Sequence, residues 1–171
     1  MTLPRPNVSA AQRKRVLHII WMAMTGTIAV YGVINHVVGS AIETTSSGRL
    51  FVQILLGIAL LTYVLAWWWH RWTVTAVAAQ ASASTLQRLS VQERLTLQSR
   101  LQASSIICCS FLESAAIYGL INTFVGAPLP HLFEGLAAGS VAGFIILRMR
   151  GFPVVFELLD RLEVRESGVG R

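Results

Sequence analysis

Residues 16–42 read VLHIIWMAMTGTIAVYGVINHVVGSAI and contain no Asp, Glu, Lys or Arg. An uncharged apolar run of about 18 residues or more is the signature of a membrane-spanning helix. Working outward, residues 50–70 are equally free of charge, and between residues 101 and 133 the single charged side chain is Glu113. The 171-residue chain is 54% hydrophobic and 13% charged, with a mean hydropathy of +0.59. Soluble domains carry about 25% charged residues, so the reading is an all-α integral membrane protein. Four spans fit: 16–38, 50–70, 103–125 and 132–147. The fourth is short for an apolar core of about 30 Å, so it is expected to extend through Arg148 or to begin at His131. Span 1 is too long for the h-region of a signal peptide, about 7–15 residues, and three further spans follow it.

Basic residues orient the chain. Arg5, Arg13, Lys14 and Arg15 precede span 1; Arg71, Arg88, Arg94 and Arg100 lie between spans 2 and 3; Arg148, Arg150, Arg161, Arg165 and Arg171 follow span 4. Arg49 alone falls in an outer loop. The positive-inside rule then predicts both termini in the cytoplasm, in a cell's inner (cytoplasmic) membrane, with Trp67, Trp68, Trp69 and Trp72 as the aromatic belt of span 2. The pI near 10.4 follows from this asymmetry and from attraction to anionic lipid, not nucleic acid. The expected organisation is a cytoplasmic N-terminus (1–15), a transmembrane hairpin (16–70), a cytoplasmic loop (71–102), a second hairpin (103–147) and a cytoplasmic tail (148–171). In the loop, Ser90-x-x-Glu93 is a capping box, which predicts a helix beginning near Val91 and running unbroken into span 3. In the tail, Pro153 opens a helix whose stripe of Val155, Leu158, Leu159 and Leu162 would lie on the membrane surface, dock on a partner or remain a solvated tail with one apolar face.

An internal match links spans 1 and 3. Residues 28–39 read IAVYGVINHVVG and residues 115–126 read AAIYGLINTFVG, with seven of twelve positions identical. Both segments run in one direction through the membrane, which makes spans 1–2 and 3–4 candidate parallel repeats. In each copy a Tyr and an Asn stand four residues apart on one helical face, Tyr31 with Asn35 and Tyr118 with Asn122. Gly32 and Gly119 beside them allow a close neighbour. The simplest arrangement has these two polar faces meeting at the centre of the bundle.

Glu113 is the residue most able to carry chemistry. An ionised carboxylate at mid-span costs at least about 2.5–3.5 kcal/mol, so it is protonated, paired with a cation or in contact with water. Ser110, Ser114, Thr25, Thr27 and Ser140 are candidate hydrogen-bond partners, and Ser110, Ser114 and Tyr118 join Glu113 as the candidate ion-binding set. The competing reading is a protonated Glu that only ties helices together. The run Glu113-Ser-Ala-Ala-Ile117-Tyr118-Gly119-Leu120 resembles the carboxylate helix of the c subunits (proteolipids) of rotary ATPases. There a Glu before Ile-Tyr-Gly-Leu carries the translocated proton or sodium, and the resemblance implies that role for Glu113. It covers eight residues. Duplicated proteolipids in which one half lacks its carboxylate are similar too, since Gly26 occupies the position matching Glu113.

Other features compete with this one. Gly135, Gly139 and Gly143 form a small-residue face on span 4 for close helix packing, within the chain or between chains. His18 and His70 fall at the inner ends of spans 1 and 2, and His36 and His131 at the outer ends of spans 1 and 4. Such pairs are the alternative of a bundle holding b-type haem, while interfacial polar residues are the blander reading. Cys108-Cys109 suits packing, not a disulfide or a metal. With no phosphate-binding loop, zinc spacing or Ser-His-Asp set, an enzyme is not expected. Two functions remain: an oligomeric conducting or coupling element built on Glu113, which binds a proton or monovalent cation, or an accessory or anchoring subunit of a larger membrane complex.

Overall fold

The computed structural model describes residues 9–39, 49–82, 86, 88–125 and 131–163, and they are helical almost throughout. The helices are α1 (Ala10–Gly39), α2 (Arg49–Gln80), α3 (Val91–Phe124), α4 (Leu132–Ile146) and α5 (Phe152–Glu163), with one wide π turn, Leu147–Gly151, joining α4 to α5. Four helical stretches are long and apolar enough to cross a membrane; the fourth runs on from α4 through the π turn and α5 to Glu163. The fourth span thus extends past Arg148. Gly126 of the internal match, Arg5, Arg165 and Arg171 lie outside the described residues.

The capping box forms as read. The Ser90 hydroxyl accepts the Glu93 amide and the Glu93 carboxylate accepts the Ser90 amide, and α3 runs unbroken from there for 34 residues. At about 1.5 Å per residue, α2 and α3 are each near 50 Å long, well over the apolar core. Within the expected loop 71–102 the described residues are mostly helical, since α2 continues to Gln80 and α3 starts at Val91.

Helix α3 is the axis of the molecule: α2, α4 and α1 each pack most extensively against it or beside it, and α1 and α2 share no substantial interface. The first two long helices thus pack on α3 and not on one another, whereas α3 and α4 pack directly together. The buried positions of α3, Leu101, Ser105, Cys108, Cys109, Leu112, Ala115 and Ala116 among them, recur at steps of three and four and make one broad stripe down the helix. Cys108 and Cys109 are both buried free thiols, in keeping with small packing residues. Helix α1 instead turns a single seam inward, Ala10, Arg13, Leu17, Trp21, Met24, Ile28 and Tyr31, at alternating steps of three and four. Its other faces are apolar and exposed, as lipid-facing surface should be.

The tail is docked on its own chain. Val155, Leu158, Leu159 and Leu162 are buried against α1 and α3. Ion pairing of Lys14 with Asp160 at 2.6 Å and a hydrogen bond from the Ala10 amide to Glu163 at 3.0 Å fasten it to the start of α1. The start of α1 and the end of α5 therefore lie at one end of the bundle, where Arg13 also donates to Gln102 of α3 at 2.9 Å. Pro153 accounts for the π turn before it. It lacks an N–H and its ring would strike the carbonyl four residues back, so the ladder widens and the Phe152 amide bonds Leu147 instead.

Candidate functional site

The α1–α3 interface carries polar contacts in an otherwise apolar setting. Tyr31, from the inward seam of α1, donates its hydroxyl to Glu113 Oε1 at 3.3 Å. Both residues are partly buried, so the pair sits at the edge of the interface. Among the described residues no Lys, Arg or His forms an ion pair with Glu113. One turn further from the end held by Lys14 and Asp160, about 6 Å along the axis, Asn35 takes the next position of the same seam. Its amide reaches Glu134 of α4 at 3.5 Å, and its carbonyl accepts the Thr123 hydroxyl of α3. Glu113 with Tyr31, and Asn35 with Thr123 and Glu134, thus line up along one seam as a polar file of two separate hydrogen-bonded clusters, from the middle of α3 to the end of the bundle away from Lys14 and Asp160. In the other direction the interface is apolar down to Arg13 and Gln102, filled by Trp21, Met24, Leu17 and Leu101.

Several expected partners of Glu113 are otherwise engaged. Ser110 and Ser114 donate to the carbonyls of Ile106 and Ser110, and Thr25 and Thr27 to those of Trp21 and Ala23. This is the usual recourse of a hydroxyl in an apolar helix, which finds the carbonyl four residues back. Ser140 meets Tyr63, whose hydroxyl donates to the Leu136 carbonyl at 2.6 Å and lies 3.0 Å from Ser140 Oγ. Tyr118 is five residues past Glu113, hence about 140° round the helix, and packs beside Ala59, Ala115 and Leu136 on the far side of α3. The two Tyr–Asn faces therefore do not meet. Tyr31 and Asn35 face α3, while Asn122 is buried with its Oδ1 unpartnered.

The glycines divide by what a Cβ would touch. At Gly119 it would stand 2.9 Å from the Phe133 backbone, at Gly143 2.7 Å from Leu112, and at Gly139 2.8 Å from the Tyr63 hydroxyl. These three allow the contacts among α2, α3 and α4. Among the described residues, nothing lies within 4 Å of a Cβ added at Gly32 or Gly135, so neither serves packing among those residues.

The histidines have separate surroundings. The His18 ring stacks on Phe156 at 5.2 Å and Phe152 at 6.3 Å. His70 is buried in a crevice against Gly151, while His36 is exposed and the His131 side chain is 85% exposed. Among the described residues no three His, Cys, Asp or Glu side chains are grouped to hold a metal ion.

The residues that sequence reasoning passed over are Tyr31 as the partner of Glu113, and Thr123 as the partner of Asn35. A signal for the first existed, since a buried phenol on a membrane helix needs an acceptor and Glu113 is the one carboxylate at mid-span. No protein-family model, curated protein or solved structure matches the chain.

Proposed function

We propose that the chain is a multi-pass protein of the cell's inner membrane, with both termini cytoplasmic, in which Glu113 binds a proton or a monovalent cation. It works as an oligomeric conducting or coupling element. The observation that carries this reading is the polar file: a mid-span carboxyl without a cationic partner, with Tyr31 beside it and Asn35, Thr123 and Glu134 further along the same seam. A carboxyl that only tied two helices together would need its one acceptor contact and nothing beyond. Intramembrane carboxylates linked to polar chains mark ion pathways. The local resemblance of the Glu113 helix to proteolipids supports the same role. Gly32 and Gly135, with nothing against them among the described residues, support close approach of a further helix.

Proteoliposomes loaded with a pH-sensitive dye test the reading. The native chain should pass protons or a cation across the vesicle wall, and Glu113→Gln should fall to the level of empty vesicles while keeping its assembled size. Equal flux from both would overturn it. The same outward glycines favour the second reading, an accessory subunit. Its mark would be a stoichiometric partner that co-purifies with native chain and Glu113→Gln alike.

A further inference from the structure

A crevice of about 250 Å³ opens between α2 and the π turn, lined by Trp67, His70 and Arg71 on one side and by Arg150, Gly151 and Val154 on the other. We infer that this crevice binds the phosphate of an anionic phospholipid in the leaflet at that end of the bundle.

Four features argue for it. Arg71 is the first charge after the uncharged run 50–70, and Arg150 follows Arg148 at the end of the apolar run of α4. Both guanidiniums therefore stand where the apolar segments end, at the depth of lipid phosphates. Both side chains are exposed, and among the described residues neither makes an ion pair or a hydrogen bond. Two like charges brought across one crevice from separate elements repel unless an anion lies between them, and the planar fork of Arg matches phosphate oxygens.

His70 is the second feature. It is 4% exposed, yet neither ring nitrogen has a partner, and a buried polar group in that condition is a cost the fold carries. A neutral imidazole always has one N–H to donate. Third, Gly151 keeps the crevice open: a Cβ there would stand 3.0 Å from His70 Nε2 and 2.6 Å from Leu147. The π turn sets Arg150 and Gly151 in this place, and such wide turns recur at binding sites. Fourth, Trp67 and Val154 supply apolar walls that suit the glycerol and acyl part of a lipid, from which free phosphate gains nothing. A larger cavity of about 330 Å³ between α2 and α3 has Arg100 as its one cation, so it lacks the paired guanidiniums.

The test uses the full chain, delipidated in detergent, titrated with phosphatidylglycerol and with phosphatidylcholine of the same acyl chains, and read by native mass spectrometry. One phosphatidylglycerol should bind in clear preference to phosphatidylcholine. The double variant Arg71→Gln/Arg150→Gln should lose that preference by roughly tenfold or more, and Arg100→Gln should keep it. His70→Phe, which removes the donor and fills the same space, should weaken phosphatidylglycerol binding without lowering the melting temperature of lipid-free protein. Equal binding of the two lipids by native protein, which needs no variant, would overturn the inference, as would an undiminished preference in the double variant. Displacement of phosphatidylglycerol by inorganic phosphate at matching concentration would overturn the lipid assignment and leave a site for small anions. None of these outcomes depends on Glu113.

Discussion

The 3.3 Å contact between the Tyr31 hydroxyl and Glu113 joins two helices at one point, and single hydrogen bonds of this kind in membranes are worth about 0.6 kcal/mol. Loss of Tyr31 as a donor is therefore a local event that the fold tolerates. Backbone crowding is less forgiving. Gly119→Ala sets a Cβ against the Phe133 backbone at 2.9 Å, where no side chain can rotate away, and should destabilise by about 1–3 kcal/mol. Gly135→Ala, in open space, should be neutral or gain up to about 1 kcal/mol from helix propensity. Thermal unfolding of both variants in one detergent checks the contrast, and equal losses would contradict it. Glu113 was legible in the sequence because a lone charge in a span stands out. Its partner was not, because Tyr31 and Tyr118 sit in matching dodecapeptides and only the packing of α1 on one side of α3 separates them.

The first turn of α3 and helix α5 make separate predictions. The Glu93 carboxyl is held below its usual range by the Ser90 hydroxyl and then by the Ser90 amide. A depressed folded value contributes stability above the ordinary carboxylate range, and that contribution is lost as pH falls through the folded value, below 4.5. Amide exchange at the first turn of α3 should rise relative to mid-helix amides on acidification, and Ser90→Ala should show the raised exchange already at neutral pH. Helix α5 depends on buried leucines, and Leu159 is fully buried. Leu159→Ala should cost about 2–5 kcal/mol and raise amide exchange across Phe152–Glu163, with α2 little changed; uniform exchange changes would contradict docking as described. The start of α3 could be read from Ser90 and Glu93 because a cap is local chemistry. The length of α2 could not, since Trp67–Trp72 and Arg71 mark where a helix leaves the membrane and not where it stops. The docking of α5 was likewise hidden: a stripe of Val155, Leu158, Leu159 and Leu162 looks the same whether it meets lipid, a partner or α1.

At the scale of the whole molecule, the contacts Lys14–Asp160, Ala10–Glu163 and Arg13–Gln102 gather the start of α1, the end of α5 and the Gln102 turn of α3 on one side, while Asn35, Thr123 and Glu134 gather at the other. In a background with Cys108 and Cys109 replaced by Ala, Asp160→Cys and His131→Cys should react with an impermeant maleimide from opposite sides of a sealed membrane, Asp160→Cys from the cytoplasm. Labelling of both from one side would contradict the four-span arrangement. Glu113 lies midway along the apolar part of α3 with the polar file beside it, and on the proposed function this carboxyl binds an ion there. The most direct measurement is carbodiimide labelling of the detergent-solubilised chain from about pH 5 to 9, read residue by residue by peptide mass spectrometry, since the reagent needs a protonated carboxyl in an apolar setting. Glu113 should be modified at neutral pH while Glu157 and Asp160 are not, and competing protons or sodium should change its rate. If Glu113 stays unmodified throughout, or reacts no differently from Glu157 and Asp160, it is not an ion-binding carboxyl and the account fails.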